Sequence, residues 1–94
     1  LWAKGALVGK SITATTSAQN SIGGVEATLM NIYASAMHWG AILVAPGYAD
    51  GVKFEDGGNP YGYSTTAGVF DETGQRSVAF QARRLVEVTG RLAS

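Results

Sequence analysis

The sequence contains no cysteine and carries no excess of charge of either sign. Disulfide bonds, thiolate metal sites and cysteine-based catalysis are therefore excluded for these 94 residues. Seven Lys and Arg balance seven Asp and Glu, whereas nucleic-acid-binding domains usually carry a basic patch and a pI above about 9. A single histidine cannot supply a metal site built from several histidines. The composition argues against a nucleic-acid binder, a polybasic membrane-surface segment and a metal centre.

Charged residues are also missing from one continuous stretch, residues 27–49. A stretch of this length could span a membrane if it were uniformly apolar. Asn31, His38, Gly40 and Pro46 instead divide it into one helix-sized and one strand-sized piece. The sequence therefore predicts no membrane-spanning segment.

Glycine is abundant, with 13 residues, about twice its usual share of roughly 7%. The length suits at most one small domain. The chain opens with Leu1 and Trp2, two large apolar residues with no initiator methionine. We expect the chain to be a piece of a larger protein.

The first two thirds of the chain predict a strand, a loop, a helix and a second strand. Residues 11–16 are mostly β-branched and uncharged, which favours a buried strand, and residues 17–24 form a small polar loop that ends in two glycines. A helix is predicted from Val25 to Gly40. Its expected apolar face comprises Val25, Leu29, Ile32, Ala36 and Met37. Residues 41–44 are an apolar run between Gly40 and Pro46 and predict the second strand.

The last third predicts a long loop and a final helix. Residues 47–74 show little periodicity, and loops of this length are usually functional or mobile. Asp71 or Thr73 is the expected N-cap of the helix. Its expected inner face comprises Val78, Ala82, Leu85, Thr89 and Leu92. The order of elements predicts an α/β fold with parallel strands, in which two strands alone are too few for a covered sheet.

The glycine-ended loop is the best candidate for a ligand site. In open α/β sheets, ligands bind at the carboxyl ends of strands, and this loop joins such an end to a helix N-terminus. Ser17, Gln19 and Asn20 offer side-chain hydrogen-bonding groups. The spacing matches neither a P-loop nor a dinucleotide fingerprint. The alternative is an ordinary tight turn.

Several motifs in fixed order make the chain resemble one family. They are LWAKGALVGK at 1–10, SAQNSIGGVEATL at 17–29, MHWGAILVAPGY at 37–48, GGNPYGYSTTAG at 57–68 and FQARRLVEV at 80–88. Together they resemble the C-terminal half of the WrbA-like NAD(P)H:quinone oxidoreductases, the tryptophan-repressor-binding-protein family of flavoproteins. The similarity runs from residue 1 to about residue 92.

The resemblance implies a flavodoxin-like three-layer α/β/α fold with a five-stranded parallel sheet. The chain would supply the last two strands and their helices, and the N-terminal half with the FMN phosphate loop would be absent. It further implies a cytoplasmic homotetramer that binds FMN and reduces quinones by two electrons, with NADH or NADPH as donor. Exchange of both substrates at one site would give ping-pong kinetics.

The resemblance also assigns site residues. The family's flavin-contacting loop corresponds to residues 17–23, called the flavin loop below: Ser17, Ala18, Gln19, Asn20, Ser21, Ile22 and Gly23. His38 matches a histidine at the flavin site. Trp2 matches the tryptophan that lines the substrate cavity, and Tyr48 is expected at the same cavity. Ile22 replaces a histidine found in many members.

Each assignment has an alternative. The flavin loop would otherwise be an Asx-type turn, Trp2 a core or interface anchor, and His38 a residue that satisfies a helix C-terminus. A flavodoxin-type electron carrier would bind FMN without reducing quinones, and a protein-binding module would do neither. This chain alone could also bind nothing, since it lacks the phosphate loop.

Overall fold

A computed structural model describes residues 5–18, 23–66 and 70–93. The elements in chain order are β1 (Ser11–Ile12), β2 (Thr16–Ala18), α1 (Val25–His38), β3 (Ile42–Leu43), α2 (Val52–Glu55), β4 (Ser64–Thr66) and α3 (Glu72–Ala93). Both strand pairs, β1 with β3 and β2 with β4, are parallel. The predicted α/β fold with parallel strands is confirmed at this level. The five-stranded sheet and its three layers stay predictions.

The first predicted strand changes its partner part-way. Ser11 and Ile12 pair with Ile42 and Leu43, whereas Thr16 to Ala18 pair with Ser64 to Thr66. Residues 13–15 lie between the two pairings and belong to neither strand. The sequence therefore correctly predicted strand structure in this region, but the prediction of one continuous strand over residues 11–16 was wrong.

α1 ends as its sequence predicts. Gly40 adopts a φ of 81°, a left-handed conformation that favours glycine. The N–H of Gly40 donates to Met37 O, and the N–H of Ala41 donates to Ala36 O, both at 3.0 Å. This is the Schellman arrangement, which satisfies carbonyls at the helix end and turns the chain into β3.

The buried face of α1 differs from the prediction. Leu29 and Ala36 are buried as expected, but Ile32 and Met37 are exposed, and Tyr33 is buried instead. The Tyr33 hydroxyl accepts a hydrogen bond from Ala14 N–H and donates one to Tyr61 O. Because its polar end is satisfied, the ring can lie in the core, and the buried face is rotated from the one that aliphatic periodicity indicates.

The stretch 47–74 is not simply a loop, so that prediction was wrong. It contains α2, whose first N–H, that of Val52, donates to Asp50 Oδ1 at 2.9 Å, and it contains β4. β4 consists of serine and threonine, so apolar patterning could not reveal it. α2 and β4 bring this stretch back against α3 and β2.

α3 starts at its predicted cap, but its inner face was predicted wrongly. Asp71 Oδ1 accepts the N–H of Gly74 at 2.9 Å, as an N-cap does. The buried residues of α3 are Gly74, Ser77 and Gln81. Val78 and Leu85 are half-buried, whereas Ala82, Thr89 and Leu92 are exposed. The buried side is polar because its partners are side chains and backbone groups of residues 13–14, 53–56 and 63.

Within the described ranges, the buried apolar side chains are Leu29, Tyr33, Ala36, Val44, Val52 and Tyr63. Among the described helices, none combines the length and the apolar character needed to cross a membrane.

Candidate functional site

The carboxyl ends of two paired strands define the candidate site. Ala18, the last residue of β2, pairs with Thr66, the last residue of β4. Since β2 and β4 are parallel, their carboxyl ends lie at the same edge of the sheet. This is the edge at which α/β proteins bind ligands. Ser17 and Ala18 of the flavin loop lie in β2, and Gly23 lies just before α1. Gln19, Asn20, Ser21 and Ile22 lie outside the described residues.

The N-terminus of α1 follows the flavin loop in the chain. Gly24 is the N-cap with a φ of 82°, and no described side chain caps the first turn. A Cβ built at Gly24 would meet no described atom within 4 Å. The first N–H groups of a helix have no partner within it and lie at the positive end of its dipole. This end of the loop can therefore receive a polar or negatively charged group.

His38 lies at the other end of the same helix. It is the last residue of α1 and is exposed. It lies thirteen positions after Val25, the first residue of α1, which amounts to about 20 Å at 1.5 Å per residue. His38 and Gly23, the described residue of the flavin loop next to α1, therefore lie near opposite ends of this helix.

Tyr48 belongs to an exposed aromatic pair. Its ring stacks on that of Phe54, with centroids 5.1 Å apart and planes 17° from parallel. Its hydroxyl donates to Gly58 O at 2.5 Å, which fixes the ring against the following turn. Half of Tyr48 and three quarters of Phe54 remain exposed. Trp2, the other predicted substrate contact, lies outside the described residues.

A buried polar cluster escaped the sequence analysis. Lys53 Nζ lies 2.7 Å from Asp56 Oδ2 and 3.3 Å from Ser77 Oγ, and the Ser77 hydroxyl donates to the same carboxylate. The two charged side chains are only 1% and 2% exposed. The three side chains bond to one another, and the cluster thereby joins α2 and the residue after it to α3. A lysine in a short, unpredicted helix gave no sequence signal for it.

The cluster sets the pKa of Asp56. Burial by itself raises the pKa, but hydrogen bonds from Lys53, Ser77 and the N–H of Gly58, together with the charge of Lys53, outweigh it. The pKa of Asp56 therefore falls below its ordinary value of 3.8. The carboxylate is held ionised at neutral pH.

Gln81 and Tyr33 are further residues that the sequence analysis missed. Both are buried polar side chains, and both bond to the backbone of Ala14, between β1 and β2. Neither residue belongs to a motif whose spacing indicates such a contact. Within the described ranges, no three His, Cys, Asp or Glu side chains form a group that could hold a metal ion.

Known proteins that are similar in sequence to this chain share one name. No family model matches the chain. A protein from Deinococcus radiodurans is 51% identical over an alignment of 94 residues. The alignment covers 98% of this chain and 47% of the relative. Proteins from Methylocella silvestris and Geotalea uraniireducens are 37% and 35% identical, over 98% and 99% of this chain and 51% and 50% of their own lengths. All three are named NAD(P)H dehydrogenase (quinone).

The chain belongs to this family. It spans about half the length of the curated relatives that it matches. Family membership thus confirms the resemblance drawn from the sequence motifs. The residues of the candidate site stay predictions.

Proposed function

We propose that the complete protein carrying this chain is an FMN-dependent NAD(P)H:quinone oxidoreductase. The observation that carries the proposal is the 51% identity, over 98% of the chain, to a relative named NAD(P)H dehydrogenase (quinone). The reaction is a two-electron reduction of a quinone to a hydroquinone, with NADH or NADPH as donor. The complete protein would be a cytoplasmic homotetramer whose domain has the five-stranded, three-layer flavodoxin-like fold.

The described part of the flavin loop is compatible with FMN. It leads to the start of α1, whose first N–H groups are capped by no described side chain, and it departs from the shared edge of β2 and β4. When bound, FMN supplies the redox chemistry by accepting a hydride from the nicotinamide and giving two electrons to the quinone. The chain's own contribution is to bind and orient. N–H groups of the flavin loop favour negative charge at their end of the site.

His38 contributes to a flavin site only if that site is shared between subunits. One α1 spans about 20 Å from the flavin loop to His38, so both ends of a single helix cannot lie at the same ring. In the proposed homotetramer, His38 of one subunit would approach the flavin loop of another. Its imidazole nitrogens can donate or accept a hydrogen bond there.

Trp2 and Tyr48 are proposed to form the apolar wall of the quinone cavity. The exposed, stacked ring of Tyr48 supports this, since a planar quinone binds by the same kind of aromatic contact. The Tyr48 hydroxyl is already bonded to Gly58 O, so we assign it to packing and not to proton transfer.

The test is absorbance spectroscopy of the complete protein with FMN, followed by NADH and benzoquinone. Retained FMN, NADH oxidation and parallel double-reciprocal lines would support the ping-pong quinone reductase. Retained FMN without NADH oxidation would identify a flavodoxin-type electron carrier instead. Intersecting lines would contradict the shared site.

Trp2→Ala tests the cavity. We expect quinone turnover to fall more than FMN affinity, because the tryptophan is proposed to face the substrate. Equal losses of turnover and FMN affinity in Trp2→Ala would contradict the stacking role.

A further inference from the structure

The point where the first strand changes partner is held by side chains. β1 pairs with β3 and β2 pairs with β4, and residues 13–15 lie between these pairings. At Ala14 the N–H donates to the Tyr33 hydroxyl at 3.3 Å, and the carbonyl accepts from Gln81 Nε2 at 2.9 Å. Side chains from α1 and α3 therefore take the place of a neighbouring strand at this residue.

Gln81 joins both strands that lead to the flavin loop edge. Its Nε2 donates to Thr13 Oγ1 at 2.7 Å and to Ala14 O, and its Oε1 accepts the N–H of Tyr63 at 2.8 Å. Ala14 lies two residues before β2, and Tyr63 lies directly before β4. The buried amide of Gln81 thus bridges the segment before β2 and the segment before β4, just before the two strands pair.

Only an amide satisfies all these partners. A backbone N–H can only donate and a backbone carbonyl can only accept, so Tyr63 fixes the oxygen of Gln81 on one side and Ala14 fixes its nitrogen on the other. The tyrosine N–H and the Gln81 side chain are buried. Loss of the amide would leave buried backbone groups without partners.

Tyr63, which bonds to Gln81 through its N–H, also bonds through its carbonyl oxygen to the first residue of β2. The N–H of Thr16 donates to Tyr63 O at 3.1 Å, directly after the bond between Tyr63 N–H and Gln81. From there β2 and β4 run in register to Ala18 and Thr66. A shift at Tyr63 would therefore move the edge from which the flavin loop departs.

We infer that Gln81 is the positioning residue of the flavin loop, acting through Ala14 and Tyr63. This inference rests on the proposed function for its ligand, FMN. Gln81 does not touch the ligand. It fixes the alignment of β2 with β4, and this alignment sets the start of the flavin loop relative to the N-terminus of α1.

The test compares two buried residues one turn apart on α3, Gln81 and Ser77, in the complete protein. Gln81→Leu removes the amide, and Ser77→Ala removes a buried hydroxyl whose partners are Lys53 and Asp56. We expect the Kd for FMN, measured by fluorescence titration well below the unfolding temperature, to rise about tenfold or more in Gln81→Leu. Ser77→Ala should change this Kd by less than about twofold at a similar loss of Tm. Equal rises in both variants would overturn the inference.

Hydrogen exchange of the FMN-free protein tests the same inference without the ligand. In Gln81→Leu, exchange should become faster over residues 13–18 and 61–66 and stay unchanged over residues 53–58. Ser77→Ala should give the opposite pattern. Unchanged exchange over residues 13–18 and 61–66 overturns the inference, whereas failure of the unmodified protein to bind FMN overturns the proposed function.

A milder variant covers the case in which Gln81→Leu does not fold. Thr13→Val keeps the shape of the side chain but removes the oxygen that accepts from Gln81 Nε2. We expect the Kd for FMN to rise about threefold and exchange to increase over residues 13–18. An unchanged Kd together with unchanged exchange would overturn the inference.

Discussion

The backbone of Gly62 lies directly against the carbonyl oxygen of Ala14, so closely that a methyl group on Gly62 would overlap that oxygen. The two residues are 48 positions apart, and the contact brings the segment before β4 against the segment before β2. Tyr33 and Gln81 bond to Ala14 at the same place. The alignment of β2 with β4 therefore depends on one glycine and two buried polar side chains.

Gly62→Ala should destabilise the complete protein. The new methyl group forces Ala14 and its partners apart, and overpacking of this kind costs about 1–3 kcal/mol. Denaturant unfolding measures the loss. Gly51→Ala is the matched control, because Gly51 has a φ of −60° and open space around it. That change should leave stability unchanged or raise it by about 0.4–1 kcal/mol, and an equal loss in both variants would contradict the close contact.

Lys53→Met should destabilise the protein far more than the loss of a surface ion pair. It leaves the Asp56 carboxylate buried without its cation, which costs about 3–5 kcal/mol. Arg76→Met is the control, because the Arg76–Glu55 pair is about half exposed, and we expect no measurable change in Tm. A small effect of Lys53→Met would mean that the cluster is open to water.

The low pKa of Asp56 predicts a loss of stability in acid. The carboxylate has a folded-state pKa below 3.8, so the unfolded state binds its proton more readily. The resulting stabilisation is present above about pH 4 and is lost as the pH falls through the folded-state pKa. Unfolding free energies measured at a series of pH values should therefore fall more steeply below about pH 4 in the unmodified protein than in Asp56→Asn. Parallel curves would contradict the shifted pKa.

The N-cap of α3 predicts a smaller, local effect. Asp71→Ala removes the acceptor of the Gly74 N–H and should cost about 1 kcal/mol. Asp71→Asn keeps an oxygen at the same place and should retain most of that stability. Chemical denaturation distinguishes the two variants, and equal losses would indicate that charge matters here more than the hydrogen bond.

Local signals in the sequence predicted several helix and strand positions well. Gly40 ends α1 and Asp71 starts α3, because these positions depend on neighbouring backbone groups alone. The apolar run at residues 41–44 likewise contains β3. The motif order further predicted the family, which the relatives confirm.

The buried faces of the helices and the pairing of β4 could not be predicted from local signals, because they depend on polar contacts between residues far apart in the chain. The buried side of α3 is Gly74, Ser77 and Gln81, where periodicity favoured aliphatic residues. Tyr33 replaces Ile32 in the core because its hydroxyl finds two backbone partners far away in the chain. β4 is polar, so its sequence shows no apolar pattern, and only the structure reveals that it pairs with β2. The edge at which β2 and β4 end depends on these contacts, which the sequence could not indicate. The ligand site at this edge stays a prediction.

Tyr33→Phe removes one of the two side-chain contacts at Ala14 without changing the shape of the core. The hydroxyl accepts from the N–H of Ala14 and donates to Tyr61 O, and the ring is only 3% exposed. Without the hydroxyl two partly buried backbone groups lose a partner, which costs about 1 kcal/mol. Tyr61→Phe is the matched control, because the ring of Tyr61 is more than a third exposed and only its carbonyl oxygen bonds to Tyr33.

We expect denaturant unfolding to separate these two tyrosine variants, and hydrogen exchange to show where the Tyr33 variant loosens. Exchange should increase over residues 13–18 and 61–66, the two segments that the hydroxyl joins. It should stay unchanged around Lys53, whose partners are Asp56 and Ser77. Uniformly faster exchange would indicate global destabilisation, and would mean that the alignment of β2 with β4 does not depend on this hydroxyl.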